Sequence, residues 1–146
     1  LNKPFFGICL GFQILFEKSY EYKGVDWISI IKRYFNQFSK KIIQDMKVQH
    51  IWWNNVEQKK DHIIWSDIPR TSFFYFVHSY YASAESKEDI SSTTTYDIDF
   101  TSSVIKDNIF ACQFHPEKSS KYGLQLISNF ITWSESLKWL FIQQLT

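Results

Sequence analysis

The chain is poor in glycine, proline, methionine and cysteine: four, three, one and two residues among 146. Two cysteines make no extracellular disulfide framework, so the sequence points to a reducing compartment, the cytoplasm. No apolar run approaches the roughly 20 residues of a membrane-spanning helix, and no signal peptide is visible. Lys and Arg number 16 against 15 Asp and Glu, a net charge of +1. That balance offers nothing to steer nucleic acid. His50, His62, His78 and His115 stand apart from any paired-ligand spacing, which leaves no zinc motif, and neither a metal nor another cofactor is expected. There are no repeats and no low-complexity tract beyond the Ser/Thr run at 91–95. What is plentiful is aromatic: fourteen Phe, eight Tyr and six Trp. The length suits one domain.

Two of the four glycines flank one cysteine, in Gly7-Ile8-Cys9-Leu10-Gly11-Phe12-Gln13. Residues 4–8 are a short apolar run compatible with a buried strand, and 10–20 read as an amphipathic helix. Cys9 sits at the junction, with the spacing of a Gly-x-Ser-x-Gly nucleophile elbow and sulfur in place of oxygen. Such a turn strains its central residue, and glycines fit where side chains would crowd neighbouring backbone. A helix N-terminus favours thiolate, and the Leu10 N–H would face a developing oxyanion. Gln13 follows Cys9 by four residues, on the same helix face. The residues alone also admit Cys9 as a small buried hydrophobe.

Roughly a hundred residues later the chain reads Gln113-Phe114-His115-Pro116-Glu117. Residues 109–114 are a mostly apolar strand ended by Pro116, which biases His115 toward extended backbone. Residues two apart in extended chain share a side. Glu117 can therefore orient the His115 imidazole, the base-and-orienter pair that a cysteine nucleophile needs. A surface His-Pro-Glu turn with a solvated carboxylate is the alternative. Cys112 shares a strand face with Phe110 and Phe114 and reads as core. So does His78, in its Phe-rich strand.

Elsewhere, residues 28–65 suggest short strands and loops, 73–78 a strand, and 83–89 a polar connection. Strands at 93–96 and 103–105 flank a turn at 97–99. Residues 121–140 read as a long helix with Leu124, Ile127, Phe130, Ile131, Trp133 and Leu137 on its apolar face. A parallel core with a later antiparallel layer fits an α/β architecture.

These motifs resemble the class I (triad) glutamine amidotransferases. The segments 47–56, 74–81, 113–119 and 123–130 are similar to the glutaminase subunits of imidazole glycerol phosphate synthases, with the likeness running from about Lys3 to Phe130. The resemblance implies a flavodoxin-like mixed sheet with flanking helices, in a single domain over 1–146. It implies that Cys9 attacks the side-chain amide of glutamine, that His115 moves the protons and that Glu117 orients it. It places Gln13, Glu21 and the Ser79–Tyr80 backbone around L-glutamine. Trp53, Asn54, Tyr75 and Lys118 match positions at the interface with a barrel-shaped synthase subunit, the heterodimer partner that receives the ammonia for histidine biosynthesis.

The chain departs from that pattern. Leu1 is no initiator Met, and family members carry more chain before the elbow, including the first strands and a glycine-rich loop with a second oxyanion donor. On this reading the domain is truncated at its N-terminus. Trp52 stands in place of a glycine, Gln49 in place of a proline, and a second glycine expected after Ile28 is missing. The alternatives are a glutaminase serving a surface-polysaccharide sugar amidotransferase, a non-catalytic remnant that only binds the synthase, and a cysteine peptidase, which would leave Gln13 and the segment 75–81 unexplained.

Overall fold

The computed structural model describes residues 3–19, 25–38 and 49–144. Ten strands make one mixed sheet: β1 (Phe5–Ile8), β2 (Phe16–Ser19), β3 (Val25–Asp26), β4 (Ile31–Gln37), β5 (His50–Gln58), β6 (Thr71–His78), β7 (Tyr80–Ala82), β8 (Ile90–Tyr96), β9 (Ile98–Lys106) and β10 (Ile109–Cys112). Among the described residues two α-helices accompany them, α1 (Leu10–Gln13) and α2 (Ser120–Gln144). The sheet runs β3-β2-β4-β7-β9-β8-β5-β6, with β10 on β9 and β1 on β10. β1 pairs with β10 in parallel, Phe5 opposite Ile109 through Ile8 opposite Cys112. β2 and β4 are also parallel, and the other pairs are antiparallel.

The abundant aromatics fill two cores. One gathers Phe74, Phe76, Phe100, Phe110 and Phe114 beneath α2, and the other gathers Phe12, Phe16 and Phe35. Those last three rings meet edge to face, 4.9–5.7 Å apart, a geometry that adds to simple burial.

The helix expected over 10–20 stops after one turn, and the chain turns into β2. The carbonyls that a continuing helix would bond to its own amides are taken from elsewhere. Ile14 O accepts from Ile28 N–H, Leu15 O from Ile30 and Ile31, and Phe16 O from Ser29. The strand expected at 93–96 begins earlier, at Ile90, and its partner runs from Ile98 through Lys106, leaving Asp97 (φ 66°) to turn the chain.

The long helix is present but rotated from its expected face. Tyr122, Leu126, Phe130, Trp133 and Leu137 face the core, whereas Leu124 and Ile131 are more than half exposed. Two contacts set this rotation. A Cβ on Gly123 would lie 1.9 Å from the Pro116 carbonyl oxygen, so only glycine can approach there. Asn129 is buried and its Nδ2 donates to the carbonyls of Ile64 (3.0 Å) and Ser66 (2.7 Å). Buried amides need such partners, and this one pins that face inward.

Crowding at the elbow falls on one glycine, not both. A Cβ on Gly7 would sit 2.5 Å from the Gly11 carbonyl oxygen, while one on Gly11 would meet nothing within 4 Å. Gly7→Ala is accordingly expected to cost about 1–3 kcal/mol, the usual range for overpacking. Gly11→Ala should change stability by less than about 1 kcal/mol. Thermal denaturation of the two variants checks this, and equal melting points would contradict it.

Candidate active site

Cys9 is the first residue beyond β1, and His115 follows the neighbouring parallel strand β10 by three residues. Both therefore stand at the carboxyl ends of adjacent strands, where open α/β sheets bind ligands. Cys9 has φ 51° and ψ −103°, left-handed backbone that a residue with a Cβ adopts only when held. Its N–H donates to the Cys112 carbonyl (2.9 Å), and its own carbonyl accepts from the Phe12 and Gln13 N–H groups, each at 3.0 Å. Both flanks of the strained residue are thus fixed, one to the sheet and one to α1.

His115 is held with similar care. Its N–H donates to the Tyr75 carbonyl (2.9 Å). The Ser119 hydroxyl donates to the His115 carbonyl (2.6 Å) and accepts from the Tyr75 N–H (2.9 Å). The imidazole Nδ1 lies 2.7 Å from Glu117 Oε1. A carboxylate oxygen accepts, so Nδ1 carries the proton and Nε2 of the neutral ring keeps its lone pair. That Nε2 is buried and has no hydrogen-bond partner among the described residues. A buried acceptor without a partner is costly, and one whose tautomer is fixed by a carboxylate is suited to taking a proton.

A cleft of about 350 Å³ opens beside Cys9, lined by Leu10, Gln13, Gln49, Val77, His78, Ser79 and Tyr80. It brings together Cys9, Leu10, Gln13, Ser79 and Tyr80, five of the residues singled out in the sequence. Glu21, also singled out, lies outside the described residues. His78 is buried and hydrogen-bonded, as a core histidine should be, yet it also forms part of the cleft wall.

One further residue belongs to the site. Gln113, fully buried, accepts from Gln13 Nε2 through Oε1 (3.2 Å) and directs its own Nε2 at Cys9 Sγ (3.6 Å). Alternation could have found it, since Gln113 is two residues before His115 and so shares its side in extended chain. Cys112 is a different kind of thiol. It is fully buried and donates to the Phe114 carbonyl (3.4 Å). Burial pushes its pKa well up, and the nearby Glu117 and Cys9 push it the same way.

A family model described as Glutamine amidotransferase class-I matches residues 1–133. The chain belongs to the class I glutamine amidotransferase family. It is 45% identical over 133 residues to imidazole glycerol phosphate synthase subunit HisH of Nitrosococcus oceani, covering 91% of this chain and 63% of that protein. To the subunit of the same name from Hydrogenovibrio crunogenus it is 44% identical, covering 91% of this chain and 62% of the relative. The chain thus spans less than two thirds of the length of these relatives. Among solved structures, a Thermoplasma acidophilum protein described as a candidate GMP synthase component superposes with a TM-score of 0.65 at 18% identity, over 99% of this chain and 62% of the other. That likeness supports the fold, a mixed α/β sheet.

The remaining residues singled out in the sequence lie on β5, β6 and the turn that follows His115. Trp53 and Tyr75 are cross-strand partners on β5 and β6, with their rings 6.1 Å apart and nearly perpendicular. Tyr75 is the residue whose backbone holds His115 and Ser119. Lys118 is exposed in the short turn of 3-10 helix Pro116–Lys118 and donates its N–H to the His115 carbonyl (3.0 Å). Asn54 is half buried and bonds inward to His50. Trp52 is 70% exposed. Among the described residues no cluster of His, Cys, Asp and Glu could hold a metal ion, and no helix is long and apolar enough to cross a membrane.

Proposed function

We propose that this chain carries the glutaminase site of an imidazole glycerol phosphate synthase. The supporting observation is that a strained Cys9 and a carboxylate-oriented His115 stand at the ends of adjacent parallel strands, in a chain about 45% identical to proteins named as that subunit. Cys9 Sγ attacks the side-chain carbonyl carbon of glutamine while His115 Nε2 takes the thiol proton. The Leu10 N–H stabilises the oxyanion. His115 hands its proton to the departing nitrogen, so ammonia leaves a glutamyl thioester on Cys9. Water, deprotonated by His115 Nε2, then attacks the thioester, and glutamate departs as His115 returns the proton to Sγ. Gln13 and the Ser79–Tyr80 segment hold the substrate, and Glu21 completes that set. Gln113 fixes the Gln13 amide and steadies the sulfur. Trp53, Asn54, Tyr75 and Lys118 meet a barrel-type synthase subunit that takes up the ammonia, and the product enters histidine biosynthesis.

The test mixes the purified protein with the synthase subunit of Nitrosococcus oceani and follows glutamate and imidazole glycerol phosphate. The expected result is product that depends on glutamine, formed in step with glutamate. Glutamate without product would point to another acceptor, such as an enzyme that amidates sugars. Neither product nor glutamate would leave a chain that binds without catalysing.

A further inference from the structure

Behind the cleft wall lies a run of hydrogen bonds that the triad does not use. β5 and β6 pair with His50 opposite His78, and both side chains are buried, 2% and 7% exposed. His78 Nδ1 lies 2.7 Å from the Tyr80 carbonyl oxygen. His50 Nδ1 lies 2.9 Å from His78 Nε2. Asn54 Nδ2 lies 3.1 Å from His50 Nε2 and 2.9 Å from the Thr95 carbonyl oxygen, while Asn54 Oδ1 accepts from the Asn55 N–H (2.7 Å).

Every direction in this run follows from its ends. A carbonyl can only accept, so His78 Nδ1 carries a proton and, in the neutral ring, Nε2 does not. His50 Nδ1 must then donate to it, which leaves His50 Nε2 bare to accept from the Asn54 amide. That amide spends its second hydrogen on Thr95, and its oxygen is already engaged by Asn55. Each contact has one proton and one lone pair. An added proton on either ring would set two donors face to face. The His50 ring is also stacked between Tyr96 (centroids 4.1 Å apart, 16° between planes) and Phe76 (4.7 Å, 21°), so it cannot turn to another partner without losing both.

The run ends where the cleft begins. β6 stops at His78 and β7 starts at Tyr80, so Ser79 and Tyr80 form a kink in the cleft wall. Two carbonyls of that kink are anchored, Ser79 O by the Phe38 N–H (3.3 Å) and Tyr80 O by the His78 ring.

We propose that His50 is a positioning residue for glutamine, holding His78 in its Nδ1–H tautomer and, through it, the Ser79–Tyr80 segment against the substrate. This inference rests on the glutaminase reading above. It assigns His50 an effect on how glutamine is held, without contact to the reacting atoms. Removing the ring's donor and acceptor frees His78 to rotate or to take the other tautomer, and the Tyr80 peptide loses its anchor.

Three variants and one spectrum test it. His50→Phe, which keeps a flat ring without nitrogen, is expected to raise the KM for glutamine about tenfold and to change kcat less than threefold, since one charge-free hydrogen bond is worth about that much. His50→Asn, which keeps a donor near the Nδ1 position, should recover most of the loss. Asn54→Leu should raise KM in the same sense by a smaller factor. In the unmutated protein, long-range nitrogen NMR should show both rings neutral between pH 6 and 8, each with a proton on Nδ1 and a bare Nε2. Nε2-protonated or charged rings would overturn the relay even if every variant failed to fold. A KM indifferent to His50→Phe, or His50→Asn no better than His50→Phe, would overturn the positioning role. Absence of glutamate release by the unmutated protein would instead defeat the glutaminase reading.

Discussion

Cys9→Ser is expected to stop glutamate release, by a factor on the order of 10⁴ or more, while the protein stays folded. Serine has nearly the shape of cysteine and can take the same φ of 51°, so the turn and its three backbone hydrogen bonds to Cys112, Phe12 and Gln13 are kept. What changes is the proton. A hydroxyl is far less acidic than a thiol, and the single imidazole of His115 has been placed to serve sulfur. Gln113 Nε2, 3.6 Å from the sulfur, sits at a distance set for a large soft atom. With the smaller oxygen that contact lengthens and the nucleophile loses one of its guides. The check is glutamate release by the variant and the unmutated protein at equal concentration, with equal melting points showing that the fold is kept. A glutamine analogue bearing an electrophile, followed by intact mass, should add once to the unmutated protein and not to the variant. Turnover above about a hundredth of the original rate would remove Cys9 from the nucleophile role, since losing such a group costs far more than that.

The parts of this fold that could be read from sequence are those whose physics is local. The elbow is written in seven residues, and the base strand in the five that end with His115-Pro116-Glu117. β6 was legible because Phe74, Phe76 and His78 alternate with partly exposed neighbours. The parts that were missed depend on distant residues. Nothing within 10–20 announces that the carbonyls of Ile14, Leu15 and Phe16 will be captured by residues 28–31, and without that capture a helix is the natural reading. Strands at 93–96 and 103–105 were expected, but the Ser/Thr-rich composition of β8 and β9 does not announce their burial. Yet Ser91, Ser92, Ser102 and Ser103 are fully buried, and they satisfy one another or an indole. The Ser92 hydroxyl meets those of Ser102 (2.9 Å) and Ser103 (2.5 Å), and Ser91 accepts from Trp65 Nε1 (2.9 Å). Likewise the rotation of α2 follows Gly123 against Pro116 and Asn129 against two carbonyls, where hydrophobic periodicity alone favours Leu124 and Ile131. The site divides in the same way. Cys9, His115 and Glu117 carry motif spacings, whereas the Gln13–Gln113 and His50–His78 contacts join residues 100 and 28 positions apart.

The same buried histidines make the second large expectation, a loss of stability in mild acid. Burial lowers the pKa of His50 to about 3, with the positive charge of a protonated His78 acting in the same direction. Burial lowers that of His78 to about 4; the hydrogen bond to the Tyr80 carbonyl opposes the fall and the nearby His115 adds to it. The rings that pack on the pair are Phe38, Phe76, Tyr96 and Phe100. They supply no compensating charge. In the unfolded chain each histidine has its ordinary value near 6.5. Between about pH 6.5 and 4 the unfolded state therefore binds more protons than the folded one, and stability must fall as pH falls. Above pH 6.5 the contribution is fully present, and it is lost on the way down through the folded pKa values. The slope approaches about 1.4 kcal/mol per pH unit for each histidine, so the first protonation alone removes on the order of 3 kcal/mol by pH 4. That is a large share of the 5–15 kcal/mol that typically holds a domain together. Urea denaturation at pH 7.5, 6, 5 and 4.5 measures it. Carboxylates also titrate toward the acid end, so the decisive comparison is with His50→Phe, which has one fewer group to protonate. Its stability should fall less steeply between pH 6.5 and 5, by close to one proton's worth of slope. Parallel curves for the two proteins would mean that His50 is charged or solvated in the folded state, and the directional run of hydrogen bonds from Asn54 to Tyr80 would fall with it.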